Sequence, residues 1–438
     1  MLKALYLITA IILIFTGAKG DNKIKDTGET TLVYPPYLHS YGIRKARPRH
    51  LFMLLGITTY FDDPQGLAAV RLDEWEDPSD KADDDEVTVY GVNSGKNEII
   101  YNTSMYGLDI YRPSGPLAFK NPKGITALED GTVYICDYGN NRVCRLRNKA
   151  RELSHSKIIS EKLDGPFDAD HDYYGNLYVT EKNGGRIARF DSGGNLEGYT
   201  GEGFLDGPQG IAISDSRKGK EKYLYYEQAD WVFTVDKKGK RITKFTLSGE
   251  RLKSIGTDSN PLKGEYCYLE SDYYSSLWAV DKIRGAIDKY DKDLNFVCSF
   301  GKNGDGEKEF DEPRGITAYK RFGQFFIAEK KGAQYYWVGT RLNKFKVSRL
   351  GKKVFQVSFY LTEPANLRIY IEDDSRERKR KRLILKKRVF MRDRSIPFKI
   401  PDNVKINPST ALMFVFEPTY SSRTYFEITR KTKIGGIN

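Results

Sequence analysis

The sequence predicts an all-β chain, a ring of about six small sheets followed by a compact sandwich, and three observations carry that prediction. A Pro-x-Gly turn feeding a short apolar strand recurs at Pro64, Pro122, Pro208 and Pro313, and at Pro166 with Asp168 in the place of the glycine. Such self-similarity at about 40 to 58 residues marks a repeat architecture. Between these anchors Gly, Asn and Asp occupy corners that tolerate left-handed or Asx-type turns, while the runs between corners are rich in Val, Ile and Tyr. After Gly339 the glycine-rich rhythm stops and a different alternation begins.

The repeat at Pro122 reads as a strand over 124–128, a turn at Glu129-Asp130-Gly131, a strand over 132–137, a turn over 138–141 and a strand from Arg142. The Pro166 repeat gives the same order and adds a fourth strand through Leu196 and Tyr199. A four-stranded meander of this size buries too little apolar surface to stand alone, so several must pack face to face. Tyr266 opens a degenerate repeat without its proline, because 276–281 aligns with 176–181. The run 50–56 reads as an outer strand without a sheet of its own. It is expected to complete the last repeat, begun at Pro313, and so to remove the free edges. Insertions in the Pro64 and Pro208 repeats leave room for a seventh unit.

The residues 298–306 leading to Ile316, and Asp137-Tyr138-Gly139-Asn140-Asn141-Arg142-Val143, resemble the NHL-repeat family of β-propellers. In that family an outer strand ends in Phe-Gly, a glycine-rich connection crosses to the next blade, and Pro-x-Gly-Ile opens its inner strand. The resemblance covers roughly 51–339 and implies a six-bladed NHL-type propeller over 21–345.

From about Lys353, short alternating strands over 354–361, 365–371, 383–385, 396–400, 411–417 and 424–429 predict a small β-sandwich over 346–438. The phrase 359–371 resembles the immunoglobulin-like domain of the flagellar-hook-capping type at the ends of secreted bacterial proteins. That type continues to a Trp-Asp-Gly stretch, which this sequence lacks.

Residues 1–20 carry Lys3, an apolar run over 4–15 and the triplet Ala18-Lys19-Gly20. This pattern predicts a secretory signal peptide cleaved after Gly20, and a secreted, periplasmic or cell-surface protein, with an uncleaved anchor as the alternative. Cys136, Cys144, Cys267 and Cys298 lack Cys-x-x-Cys spacing, and hairpin register sets Cys136 opposite Val143, so buried thiols are expected, with one disulfide bridge as the alternative for an exported protein. The net charge of +12 is read as spread along the chain, with one concentration at 376–382 and 386–388. A solvated hairpin is the plain reading of that run. Contact of 376–388 with an anionic polymer is the functional one, and nucleic acid does not suit an exported protein.

Aligned on Pro-x-Gly, the position of Ala212 is Ala68, Thr126, Asp170, Glu270 and Thr317 in the other repeats. Asp168 and Asp172 flank Asp170 on one strand face. Carboxylates near a ring axis suit a divalent cation such as calcium, so Asp168, Asp170 and Glu270 are the candidate metal ligands. The plainer reading has Asp168 and Asp170 accepting backbone amides of the next blade or facing tunnel water. His171 alternates away from Asp170 toward a neighbouring blade. Peptidyl-hydroxyglycine lyases, which share NHL-like blades, imply zinc held by several histidines, and only His171 is placed for it. Senescence-marker-type gluconolactonases imply a Glu, Asn and Asp set, of which Asp170 and Glu270 supply a part.

Tyr173-Tyr174 and Tyr273-Tyr274 fall in equivalent turns, where exposed rings would stack on sugars or peptides. The expectation is therefore a monomeric, non-catalytic binding or scaffold protein, with a protein or polysaccharide partner at the cell envelope. A metal-dependent lactonase- or lyase-like enzyme is the alternative.

Overall fold

The computed structural model describes residues 31–34, 44–56, 59–75, 87–104, 107–160, 163–214, 230–256, 264–320, 322–373, 380–420 and 426–437. The leader expected over 1–20 lies outside them, as do residues 376–379 of the basic run. Among the described residues no helix is long and apolar enough to cross a membrane.

Five sheets are antiparallel four-stranded meanders whose first strands are Pro64–Val70, Ile125–Ala127, Pro166–His171, Ile211–Ser214 and Tyr266–Ser271. A sixth opens at Ile316–Tyr319 and continues through Gln324–Glu329 and Gly332–Val338. Each first strand lies beside the next, and Ile316–Tyr319 lies beside Pro64–Val70, so the sheets close into a ring. The repeated glycine follows from this closeness. A Cβ on Gly66 would stand 2.8 Å from Lys123 O, and one on Gly210 would stand 2.7 Å from Cys267 O. Gly124 and Gly315 meet their neighbours' backbones more tightly still. Only a residue without a side chain fits where backbones converge.

A second repeated device holds several of the sheets to their entry loops. Asp137, Glu181, Asp236 and Asp281 end second strands, are fully buried, and each pairs with an arginine: Arg142, Arg186, Arg241 and Arg284. The same carboxylates of the second, third and fourth sheets accept the Lys120, Asp164 and Asp206 amides at 2.7, 2.6 and 2.9 Å. In the sixth sheet Glu329 occupies this place, and its cations are Lys45 at 3.4 Å and Arg47 at 3.8 Å from the N-terminal segment.

That segment also completes the sixth sheet, but with Leu32–Val33 and Lys45–Ala46, both paired to Gly332–Val338. The run 50–56 is not the outer strand expected of it. Pro48–Leu55 is a helix, α1. Pro48 stands in its first turn, the His50 ring accepts the Arg47 amide at 3.0 Å, and Gly56 ends it in a left-handed conformation. Proline first and glycine last are helix punctuation, and they outweigh the β-propensity of the run.

The C-terminal unit is two packed sheets. One holds Leu342–Arg349, Val354–Leu361 and Arg392–Lys399; the other holds Arg380–Val389, Ala365–Asp373, Ala411–Pro418 and Ile428–Lys433. The unit begins at Leu342, so a boundary at 346 cuts its first strand. Phe355, Val357, Phe359 and Leu361 alternate inward against Leu367, Ile369, Phe414 and Phe416. All four cysteines are free and buried. Burial pushes the Cys298 thiol up to about 11 and Cys267 up to about 12, which leaves them inert.

The C-terminal unit docks on the fifth and sixth sheets. Fully buried Lys289 lies between Asp272, at 3.1 Å, and Glu363 of the sandwich, with the Trp278 ring 4.6 Å away. Tyr360 donates to Val297 O at 2.7 Å, and Arg392 pairs with Asp291 at 2.8 Å.

Candidate functional site

The converging first strands line a cavity of about 740 Å³. Its wall takes residues 66–71 and Asp73 from the first sheet, 125–130 from the second and 168–173 from the third. Ile211 comes from the fourth, 268–270 with Tyr273 from the fifth, and 316–320 from the sixth. Strand alternation presents every second side chain of each inner strand to this space.

Asp168, Asp170 and Glu270 all border the cavity, and each is engaged by backbone. Asp168, 6% exposed, accepts the Ile211 amide at 3.1 Å. Asp170 accepts the Ile213 amide at 2.7 Å on one oxygen and its neighbour His171 N–H at 2.8 Å on the other. Glu270 repeats the arrangement: one oxygen takes Ala318 N–H at 3.0 Å, the other takes Ser271 N–H at 2.8 Å. In both sheets the acid ties its own first strand to the first strand of the following sheet. Burial, reinforced by Asp170 and Glu270, pushes the Asp168 carboxyl well above its usual range. Glu270 is also raised, by burial against the opposing pull of Lys320, which lies 3.5 Å away. Among the described residues no three His, Cys, Asp or Glu side chains are grouped to hold a metal ion.

The His171 ring turns to the preceding sheet, where Nδ1 lies 2.8 Å from Thr126 Oγ1. Tyr268, not among the expected site residues, occupies the Pro-x-Gly glycine position in the fifth sheet, as Asp168 does in the third. Tyr268 donates to Gln65 at 3.1 Å, and its ring lies 5.6 Å from that of Phe167. The signal was the missing glycine. A bulky residue fits there because it fills the centre of the ring instead of meeting a backbone.

The paired tyrosines occupy matching Asx turns. Asp172 accepts the amides of Tyr174 and Asn176 at 2.9 and 3.0 Å, and Asp272 accepts those of Tyr274 and Ser276, both at 2.9 Å. Tyr173 and Tyr273 line the cavity. Their neighbours differ. Tyr174 is 59% exposed, whereas Tyr274 is 7% exposed, donates to Thr419 at 2.6 Å and meets the Tyr420 ring edge-on at 5.4 Å. Tyr274 therefore offers no stacking surface, contrary to the expectation from its turn, because the sandwich covers it.

Residues 119–146, which span the first two strands of the second sheet and most of the third, match the family model described as "NHL repeat". The ring is an NHL-like β-propeller. No curated protein sequence matches the chain. Among solved structures the propeller is similar to a streptogramin B lyase (16% identity, TM-score 0.44, 65% of this chain and 96% of that one). It is also similar to a gluconolactonase from Xanthomonas campestris (13%, 0.45, 71% and 98%) and to the calcium-binding protein regucalcin from Agrobacterium tumefaciens (16%, 0.43, 64% and 92%). At such identity and superposition these neighbours carry nothing about the chemistry of this propeller.

Proposed function

We propose that this chain is an exported, monomeric binding or scaffold protein of the cell envelope: a six-bladed NHL-type propeller that holds a protein or polysaccharide, followed by an immunoglobulin-like sandwich. The observation that carries the reading is the fate of the cavity carboxylates. A metal or acid/base site needs carboxylate oxygens free to face a ligand. Asp168, Asp170 and Glu270 instead accept amides of neighbouring inner strands. The carboxylates act as joints between blades. Tyr173 and Tyr273 supply aromatic surface to the cavity, and Tyr174 extends it to the outside.

The metal-dependent lactonase- or lyase-like alternative draws on one observation, that all three acids border a single cavity. Divalent-cation content and affinity decide between the readings, measured on the protein and on an Asp170→Ala/Glu270→Ala variant. The binding reading expects no stoichiometric metal in either. Tight metal in the parent that is lost in the folded variant would overturn it and direct screening to lactones and esters.

A further inference from the structure

The strand boundary at Leu342 divides the charge of the chain unevenly. Residues 342–438 carry 23 Lys and Arg against 9 Asp and Glu, a net +14, whereas residues 1–341 carry 48 against 50. The charge is therefore not spread along the chain, as its total suggested. The propeller portion is close to neutral with carboxylates around its cavity, and the sandwich is strongly basic.

Within the sandwich the bases gather on Arg380–Val389, the edge strand of the four-stranded sheet, paired on one side only among the described residues. Lys381, Arg382, Lys386 and Lys387 are exposed. Lys381 shares Glu372 with Lys431. Arg382, Lys386 and Lys387 make no ion pair among the described residues. Lys386 stands opposite Arg368 and Lys387 opposite Leu367, and cross-strand partners share a face, so the bases project from both faces of the edge. A single edge lysine is a known protection against edge-to-edge pairing. This strand carries more bases than that protection needs, and neighbouring like charges repel one another. A row of this kind is stabilised when a ligand brings counter-charge.

We propose that the open edge Arg380–Val389 is a binding surface for a linear anionic polysaccharide, carboxylated or sulfated, lying along the strand. Residues 381–388 extend over roughly 23 Å at about 3.3 Å per residue, a row suited to a polymer that repeats its charges along one axis. A membrane surface would ask instead for a face with apolar anchors beside the bases. Leu383 is the one large apolar side chain of this strand that is highly exposed. Binding of this kind draws on counterion release and weakens steeply with salt. It does not depend on what the propeller cavity holds.

The test uses the full chain with dextran sulfate and neutral dextran as probes, at low and at physiological salt. One variant carries Arg382→Gln, Lys386→Gln and Lys387→Gln. A charge-matched control carries Lys237→Gln, Lys238→Gln and Lys240→Gln in an exposed turn of the fourth blade. The expected result is salt-sensitive binding to dextran sulfate alone, weakened on the order of 10- to 100-fold at low salt by the edge substitutions. The control should change it less than about threefold, with the unfolding midpoint of both variants kept. Equal losses in the two variants would reduce the effect to net charge and overturn the proposal, as would no binding to dextran sulfate. Tighter binding to phosphatidylglycerol vesicles or to DNA than to dextran sulfate would also overturn it. Both variants retain Tyr173 and Tyr174, so failure here leaves the cavity reading standing.

Discussion

The third and fifth blades carry the same local sequence and meet different surroundings. Both replace the inner-strand glycine, both place an acid two residues on, and both turn through Asp-Tyr-Tyr at 172–174 and 272–274. The Asx turns are alike to within 0.1 Å in their amide contacts. In the third blade the turn stays open, Asp172 receives the Tyr178 hydroxyl, and Arg189 reaches Leu247 O at 3.0 Å. In the fifth blade Asp272 receives Trp278 Nε1 at 2.9 Å, Lys289 replaces the arginine, and Glu363 closes the cluster from the sandwich. Local sequence sets the turn, and the docking partner decides whether its side chains face water or core.

The largest expected break in this pairing is Lys289→Met. It leaves Asp272 and Glu363 buried without their cation, and removing one member of a buried ion cluster costs about 3–5 kcal/mol. Arg189→Met at the matching position of the open blade should cost less than about 1 kcal/mol. Urea unfolding of the two variants checks the contrast, and equal costs would mean that the sandwich is not anchored through Lys289. Tyr274→Ala comes next. Its ring and hydroxyl are both enclosed, so a loss of about 3 kcal/mol is expected by the same measurement.

A pH effect follows from the same cluster. Burial pushes the Glu363 carboxyl up to about 8, opposed by Lys289 and reinforced by Asp272. The Lys289 ammonium is itself raised by Asp272 and Glu363 in spite of its burial, so it stays charged. Between the ordinary value of 4.5 and about 8 the folded chain keeps a proton that the unfolded chain has released. Glu363 therefore contributes stability that is present in full below pH 4.5 and is lost as pH rises to about 8, by up to a few kcal/mol. Glu363→Gln should flatten that part of the stability–pH curve. Asp168 and Glu270, raised in the same direction, leave a residual slope. An unchanged curve would place the Glu363 proton elsewhere.

The repeat was legible because its cause is local: Pro-x-Gly marks where inner strands converge, and Asp-Tyr-Tyr followed by a small residue marks a turn. The equivalence of Asp170 and Glu270 is also seen in the structure, since each accepts the amide of the residue after it and one amide of the next sheet. That such acids accept amides of the next blade was the plainer reading of the sequence; which amides was not legible, because the donors, Ile213 and Ala318, lie 43 and 48 residues downstream in the next sheet. The burial of Tyr274 was invisible for a similar reason, since Thr419 and Tyr420 belong to a unit with no repeat to align. Helix α1 was readable from Pro48 and Gly56, but the apolar run between them reads equally as a strand when the punctuation is ignored.

The smallest expected stability effect belongs to Tyr174→Ala, and it sharpens the comparison most. Tyr174 is held by its backbone, through Asp172, while its ring stands in water against Tyr173 at a centroid distance of 5.5 Å. Removing the ring should change unfolding free energy by no more than about 0.5 kcal/mol, because no core contact is lost. If this turn is the exposed counterpart of one that the sandwich has taken over, its aromatic surface should count in binding instead. Retention of envelope polysaccharide by the folded Tyr174→Ala variant should then fall on the order of 10-fold, the usual weight of an aromatic anchor. Tyr274→Ala should lose stability and, wherever it remains folded, keep that retention. A Tyr174→Ala protein with full retention would show that the open turn has no binding role, and that its exposure marks only the blade the sandwich does not cover.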